Sequence, residues 1–155
     1  MTKFLLAVHV LAAIVAVGPV TVAASMFPPA ARKALAEPRD GQARSTVRLL
    51  HRICQVYATV GVVVPAFGFA TARAMGVLGD TWLIVSIALT ALAAVVLAAL
   101  VLPRQTAIVE GIWHDTGTVG PRATVRLAMV TGIFNLLWAT VTVLMIVRPG
   151  STTGA

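Results

Sequence analysis

The chain has 155 residues, 59% of them apolar and 11% charged, with a mean hydropathy of +0.94. A water-soluble domain covers its surface with charged residues amounting to about a quarter of its length, so this composition excludes one and implies lipid. A net charge of +7 and a pI near 11.4 would suit a nucleic-acid binder, yet the basic residues interrupt long uncharged runs and line no polar face with interleaved aromatics.

Stretches free of Asp, Glu, Lys and Arg run from Phe4 to Ala31, Ile53 to Ala72, Thr81 to Pro103 and Leu127 to Val147. Each reaches the length of about 20 residues that a helix needs to cross a hydrocarbon core about 30 Å thick. Segments such as LTALAAVVLAALVL lack the alternation of barrel strands, so helices are the spanning form. The expectation is an all-α bundle of four transmembrane helices, about 4–27, 50–72, 81–102 and 124–147, joined by cytoplasmic loops 28–49 and 103–123. Lys3, an apolar stretch and TVAAS resemble the parts of a secretory signal peptide, but the stretch is longer than such a peptide uses and reads as a first membrane helix.

The distribution of Lys and Arg sets the expected orientation. Arg32, Lys33, Arg39, Arg44, Arg48 and Arg52 flank the first connection and Arg104, Arg122 and Arg126 the third, against Lys3, Arg73 and Arg148 on the opposite side. That bias predicts cytoplasmic first and third loops, with both termini outside. The acidic Glu37, Asp40, Glu110 and Asp115 also fall on the side of the first and third loops. Within the first connection, PPAARKALAEPRDGQ admits a helical turn or two through Ala36 and breaks at Pro38, Asp40 and Gly41, after which Ser45 is placed to cap a new helix. Arg44, Arg48 and Arg52 share one face of that helix and are expected to anchor it against headgroups.

Helix association in lipid relies on small and polar residues. Ala12 and Ala16, Ala66 and Ala70, and Ala94 and Ala98 form small-xxx-small pairs. Gln55, Tyr57, Thr59, Ser86, Thr90, Thr131, Asn135 and Thr140 are expected to bond mostly between helices. Gly18-Pro19 and Pro65 should bend or loosen the first and second spans. The single cysteine, Cys54, excludes an intramolecular disulfide and reads as an apolar filler. His51 and Cys54 on the entry turn of the second span, with Glu110 and His114 in the third connection, offer metal-ligand chemistry on one side of the membrane, without the spacing of a zinc signature. Trp113 suits an interface anchor.

His9 lies within the first span, five residues past Phe4, or about 7 to 8 Å into the outer leaflet. An ionisable side chain at such a depth is by default a functional candidate. A neutral imidazole there can ligate haem iron, relay a proton or bond a neighbouring helix. By depth, Met145 and Met75 are reachable second iron ligands.

VHVLAAIVAVG (His9 to Gly18), TWLIVSIAL (Trp82, Leu83) and IVRPG (Arg148, Pro149) resemble, in order and spacing, the four-helix bacterial membrane superfamily of the HemJ-type protoporphyrinogen oxidase and copper-resistance protein D. The resemblance covers nearly the whole chain and is closest to that superfamily's uncharacterised branch of integral membrane proteins. It implies haem b ligation by the residue matching His9. The oxidase also needs a helix-three lysine in a Trp-Leu-x-x-Lys context, and here that position reads Ser86, which supplies no cation. The tryptophan common before the helix-one glycine is replaced as well, since the segment reads AIVAVGP. The expected function is therefore that of a bacterial inner-membrane protein acting as a non-enzymatic accessory or cofactor-associated subunit, in the lipid bilayer with a membrane-protein complex or as a homo-oligomer, and without nucleic acid. Two other readings stay open. One is a haem-dependent oxidoreductase with His9, Ser86 and Met145 at the cofactor, and the other is copper or small-solute transport using His51 and His114.

Overall fold

The computed structural model describes residues 2–114, 117 and 119–150, so Asp115 lies outside the described part. Four helical rods follow one another. The first is α1 (Thr2–Ala36), and the second is α2 (Gly41–Val60) with α3 (Val63–Met75). The third is α4 (Thr81–Val95), a π-helical segment Val96–Val101 and α5 (Leu102–His114), and the fourth is α6 (Pro121–Val147). Each rod is long and apolar enough to cross a membrane, so the described residues form an all-helical bundle compatible with four spans.

The helices outlast their apolar runs. The stretch 28–49, expected as a loop, is helical except at 37–40, and the expected loop 103–123 is helical through His114. Hydropathy marks where lipid ends, whereas the i to i−4 ladder continues wherever the chain keeps helical dihedrals. The break at 37–40 falls where Pro38 and Asp40 place it. The cap is Asp40, whose Oδ1 accepts from the Gln42 and Ala43 amides at 2.9 and 3.1 Å. Ser45, the expected cap, sits inside α2 and donates to the Gln42 carbonyl.

Prolines shape the interior of the rods. Pro65 has no N–H for the Gly61 carbonyl, and the second rod breaks four residues earlier, between α2 and α3. There Gly61 O accepts from the Val64 amide at 3.1 Å, a shorter-range bond that replaces the missing one. Pro103 stands behind the widened turn before α5, where the Leu102 amide reaches back to Leu97 O. Gly18-Pro19 does not interrupt α1, which is continuous from end to end.

Packing follows a spacing of alternating threes and fours. Ala43, Val47, Leu50 and Cys54 are the buried line of α2, and Val101, Gln105, Ile108 and Ile112 that of the third rod. Thr124, Leu127, Thr131, Phe134 and Val141 form that of α6. This is the seam spacing of left-handed helix packing. In α1 the seam is mostly small, with Ala16, Ala23, Ala24, Ala31 and Ala34 around Val20 and Phe27, and it packs chiefly on α2 and α3. Of the three expected small-xxx-small pairs, only Ala12 and Ala16 turn inward; Ala66, Ala70, Ala94 and Ala98 are exposed on the bundle surface. The expected interhelical hydrogen bonds are also mostly internal to one helix: Thr59, Ser86, Thr90 and Thr140 each donate to the carbonyl four residues earlier. Asn135 is the exception, donating to Ser25 Oγ across the α1–α6 contact at 3.0 Å.

Candidate functional site

His9 is buried at the α1–α3 contact, not turned toward lipid. Its Nδ1 lies 3.0 Å from the Val64 carbonyl, one residue before Pro65. A carbonyl can only accept, so Nδ1 is the donor in this bond. The ring lies directly against the backbone of α3 at Gly68, where a Cβ would stand 2.8 Å from His9 Cε1 and 3.2 Å from Nδ1. Glycine at position 68 is what admits the imidazole.

Ser86 and Met145, expected beside His9, have other partners. Ser86 is fully buried and donates to Trp82 O at 2.8 Å. Met145 packs against the small cluster of Ala72, Trp82 and Leu83. Trp82 Nε1 in turn donates to Asp80 Oδ2 at 2.9 Å, and the Arg148 guanidinium lies 5.8 Å from the Trp82 ring centre. These residues do not fit a haem. The His9 ring rests on α3, the serine serves its own helix, and the methionine belongs to a packed corner around a tryptophan.

The most connected polar group in the bundle is elsewhere. His51 is buried, not facing headgroups, with Nδ1 3.0 Å from Gln105 Oε1 and Nε2 3.3 Å from Thr106 Oγ1. Gln105, itself fully buried, also donates to Cys54 Sγ at 3.5 Å, and Phe27 meets the His51 ring edge-on with centroids 6.4 Å apart. Gln105 thus ties α2 to α5 through both of its amide ends. In the sequence Gln105 is inconspicuous, because it follows Pro103 and Arg104 outside the uncharged run; its place in the line Val101, Gln105, Ile108 and Ile112 is the signal that marks it.

Of the four residues expected as metal ligands, His51 and Cys54 belong to this network, while Glu110 and His114 lie on the exposed side of α5. Among the described residues no three His, Cys, Asp or Glu side chains gather as a metal site would require. Two of the arginines expected at headgroups serve the fold. Arg44 Nη2 donates to Ile112 O and Trp113 O at 3.0 and 3.2 Å, satisfying carbonyls at the end of α5. Arg44 and Arg48 also lie 4.9 and 3.3 Å from the Trp113 ring centre, so this tryptophan is clamped by cations.

Two substitutions probe these contacts. Gly68→Ala should cost about 1–3 kcal/mol through the clash with His9, whereas Gly18→Ala, with nothing near its added methyl, should not destabilise; thermal unfolding in detergent separates the two. Gln105→Leu leaves His51 without its Nδ1 partner and should lower stability by about 1–3 kcal/mol, read in the same assay.

Comparison of the chain with protein-family models, with curated proteins and with solved structures gave no match.

Proposed function

We propose that this chain is a multi-pass protein of the bacterial inner membrane, with both termini outside, that acts as a non-enzymatic accessory or cofactor-associated subunit. The observation that carries this reading is the use made of the reactive side chains within the spans. His9 holds Val64, His51 holds Gln105 and Thr106, and Cys54 receives Gln105, so each joins one helix to another. Along the spans the outer surface is apolar. It carries exposed Leu11, Ile14, Val62, Phe69, Leu136 and Ile146, an apolar coat suited to lipid and to the helices of a larger assembly. The orientation rests on the excess of basic residues at the end that holds the 37–40 turn.

The detergent-purified protein should show no Soret band and should migrate in native gels as part of a larger complex of fixed stoichiometry. A Soret band that disappears in His9→Ala would overturn the reading and install a haem-dependent oxidoreductase. Cysteine introduced at Gly79 should react with a membrane-impermeant maleimide added to intact cells, and cysteine at Arg39 should react only after lysis; the reverse pattern would invert the topology.

A further inference from the structure

Among the described residues, three buried side-chain atoms have no hydrogen-bond partner: Arg44 Nε, Thr131 Oγ1 and Asn135 Oδ1. The last two share one place, a groove of about 320 Å3 between α1 and α6. Thr131 is only 2% exposed, yet its hydroxyl lies in the wall of this groove without a partner. Such a group is costly in an apolar setting and points to a polar atom that completes it. A larger hollow of about 430 Å3 near the 37–40 turn contains none of the three unpartnered atoms in its walls.

The groove has a polarity along its length. Arg32, exposed, stands at one end, two turns along α1 from Ser25. On α6, Thr131 lies about 7 Å and Asn135 about 13 Å inward from Arg126, measured along the helix. A cation thus sits near the headgroup level and uncharged hydrogen-bonding groups sit deeper. Thr131 offers a hydroxyl donor. The Asn135 amide, whose two ends are alike in shape, offers an N–H once its oxygen turns to the Ser25 hydroxyl. Gly132 and the exposed Ala128 keep the α6 side of the groove low.

We infer that this groove binds an anionic phospholipid, its phosphate on Arg32 and its acyl-ester carbonyls on Thr131 and Asn135. The order of groups along the groove is the order along such a lipid: anion at the surface, ester carbonyls below it, hydrocarbon below those. A helix from a second copy would match Ala128 and Gly132 but would leave the inward polar atoms unpaired, and a soluble phosphate would reach Arg32 alone.

The test is native mass spectrometry of the detergent-solubilised protein offered equal amounts of phosphatidylglycerol and phosphatidylcholine. Phosphatidylglycerol should be retained in preference by about fivefold, the effect of one basic residue on an anionic headgroup. Arg32→Gln should abolish the preference and Arg32→Lys restore it, while Arg104→Gln, another basic residue at the same end of the bundle, should leave it unchanged. Thr131→Val, nearly isosteric, should weaken retention of phosphatidylglycerol. Equal loss in Arg32→Gln and Arg104→Gln would mean diffuse surface charge and overturn the site. Displacement of the lipid by glycerol phosphate at equal concentration would overturn the lipid as ligand, and a lipid-free dimer disrupted by Gly132→Leu would replace it with a second copy. Helical content and monodispersity, measured for every variant, confirm that lost binding is not lost folding.

Discussion

A helix in hydrocarbon has no water to receive a carbonyl that proline leaves without its amide, so each proline inside a span must be answered by the protein. The answers organise this bundle. At Pro65 the second rod breaks, Gly61 O takes a closer amide, and His9 approaches α3 at Val64. Ahead of Pro103 the ladder widens into a π-helical segment, and the Arg104 and Thr106 side chains donate to Leu100 O and Leu102 O. Pro28 and Pro29 withdraw the amides that the Ala24 and Ser25 carbonyls would otherwise receive, and beside them lies the groove holding Thr131 and Asn135. The contacts of His9, Gln105, Thr131 and Asn135 thus all lie close to a proline, whereas Ser86 and Thr90 bond carbonyls of their own helix.

That pattern also explains what the sequence could and could not disclose. The four spans, the turn at Pro38–Asp40 and the break ahead of Pro65 follow from apolar runs and from proline chemistry, both local properties. The partner of a buried polar group is not local. His9 announces itself by depth, but its use depends on Gly68, 59 residues away, having no side chain. Gln105 sits beside a charged residue and a proline, which gives it the look of a loop, and only the continuation of α5 to His114 brings it into the seam. Small residues mislead in the opposite sense, because hydropathy does not say which face of a uniformly apolar helix turns inward. Ala66, Ala70, Ala94 and Ala98 therefore gave no packing information, whereas the alternating three-four line of Thr124, Leu127, Thr131, Phe134 and Val141 did carry it.

The distribution of packing is unequal between the two ends. One continuous core takes in α1, α2, α5, the π-helical segment and much of α6. The far end relies on the corner of Ala72, Trp82 and Leu83, with Val77 and Met145 against it. Arginines contribute at both ends in the same manner. Arg44 and Arg48 close on Trp113 while Arg44 satisfies carbonyls at the end of α5, and Arg148 approaches Trp82 while its Nε donates to Met145 O. A tryptophan near each end of the bundle is thereby held by cations, so basic residues that flank the apolar runs also fasten the helix ends.

The same geometry bears on what the resemblance to the HemJ-type and copper-resistance superfamily can mean. Its three motifs place His9 on Val64 and Gly68, and bring Trp82 near Arg148. His9, Trp82 and Arg148 therefore each have a partner within the bundle, whereas Leu11, Ile14, Ile84 and Ile146 of the same motifs are exposed on its surface. The position that the oxidase fills with lysine is Ser86 here, fully buried and donating to a carbonyl of its own helix. A lysine could not occupy that site as it is packed, because its ammonium would have neither water nor a carboxylate. A small side chain at position 86 is what this interior admits, and serine meets the need for a hydrogen-bond partner within its own helix.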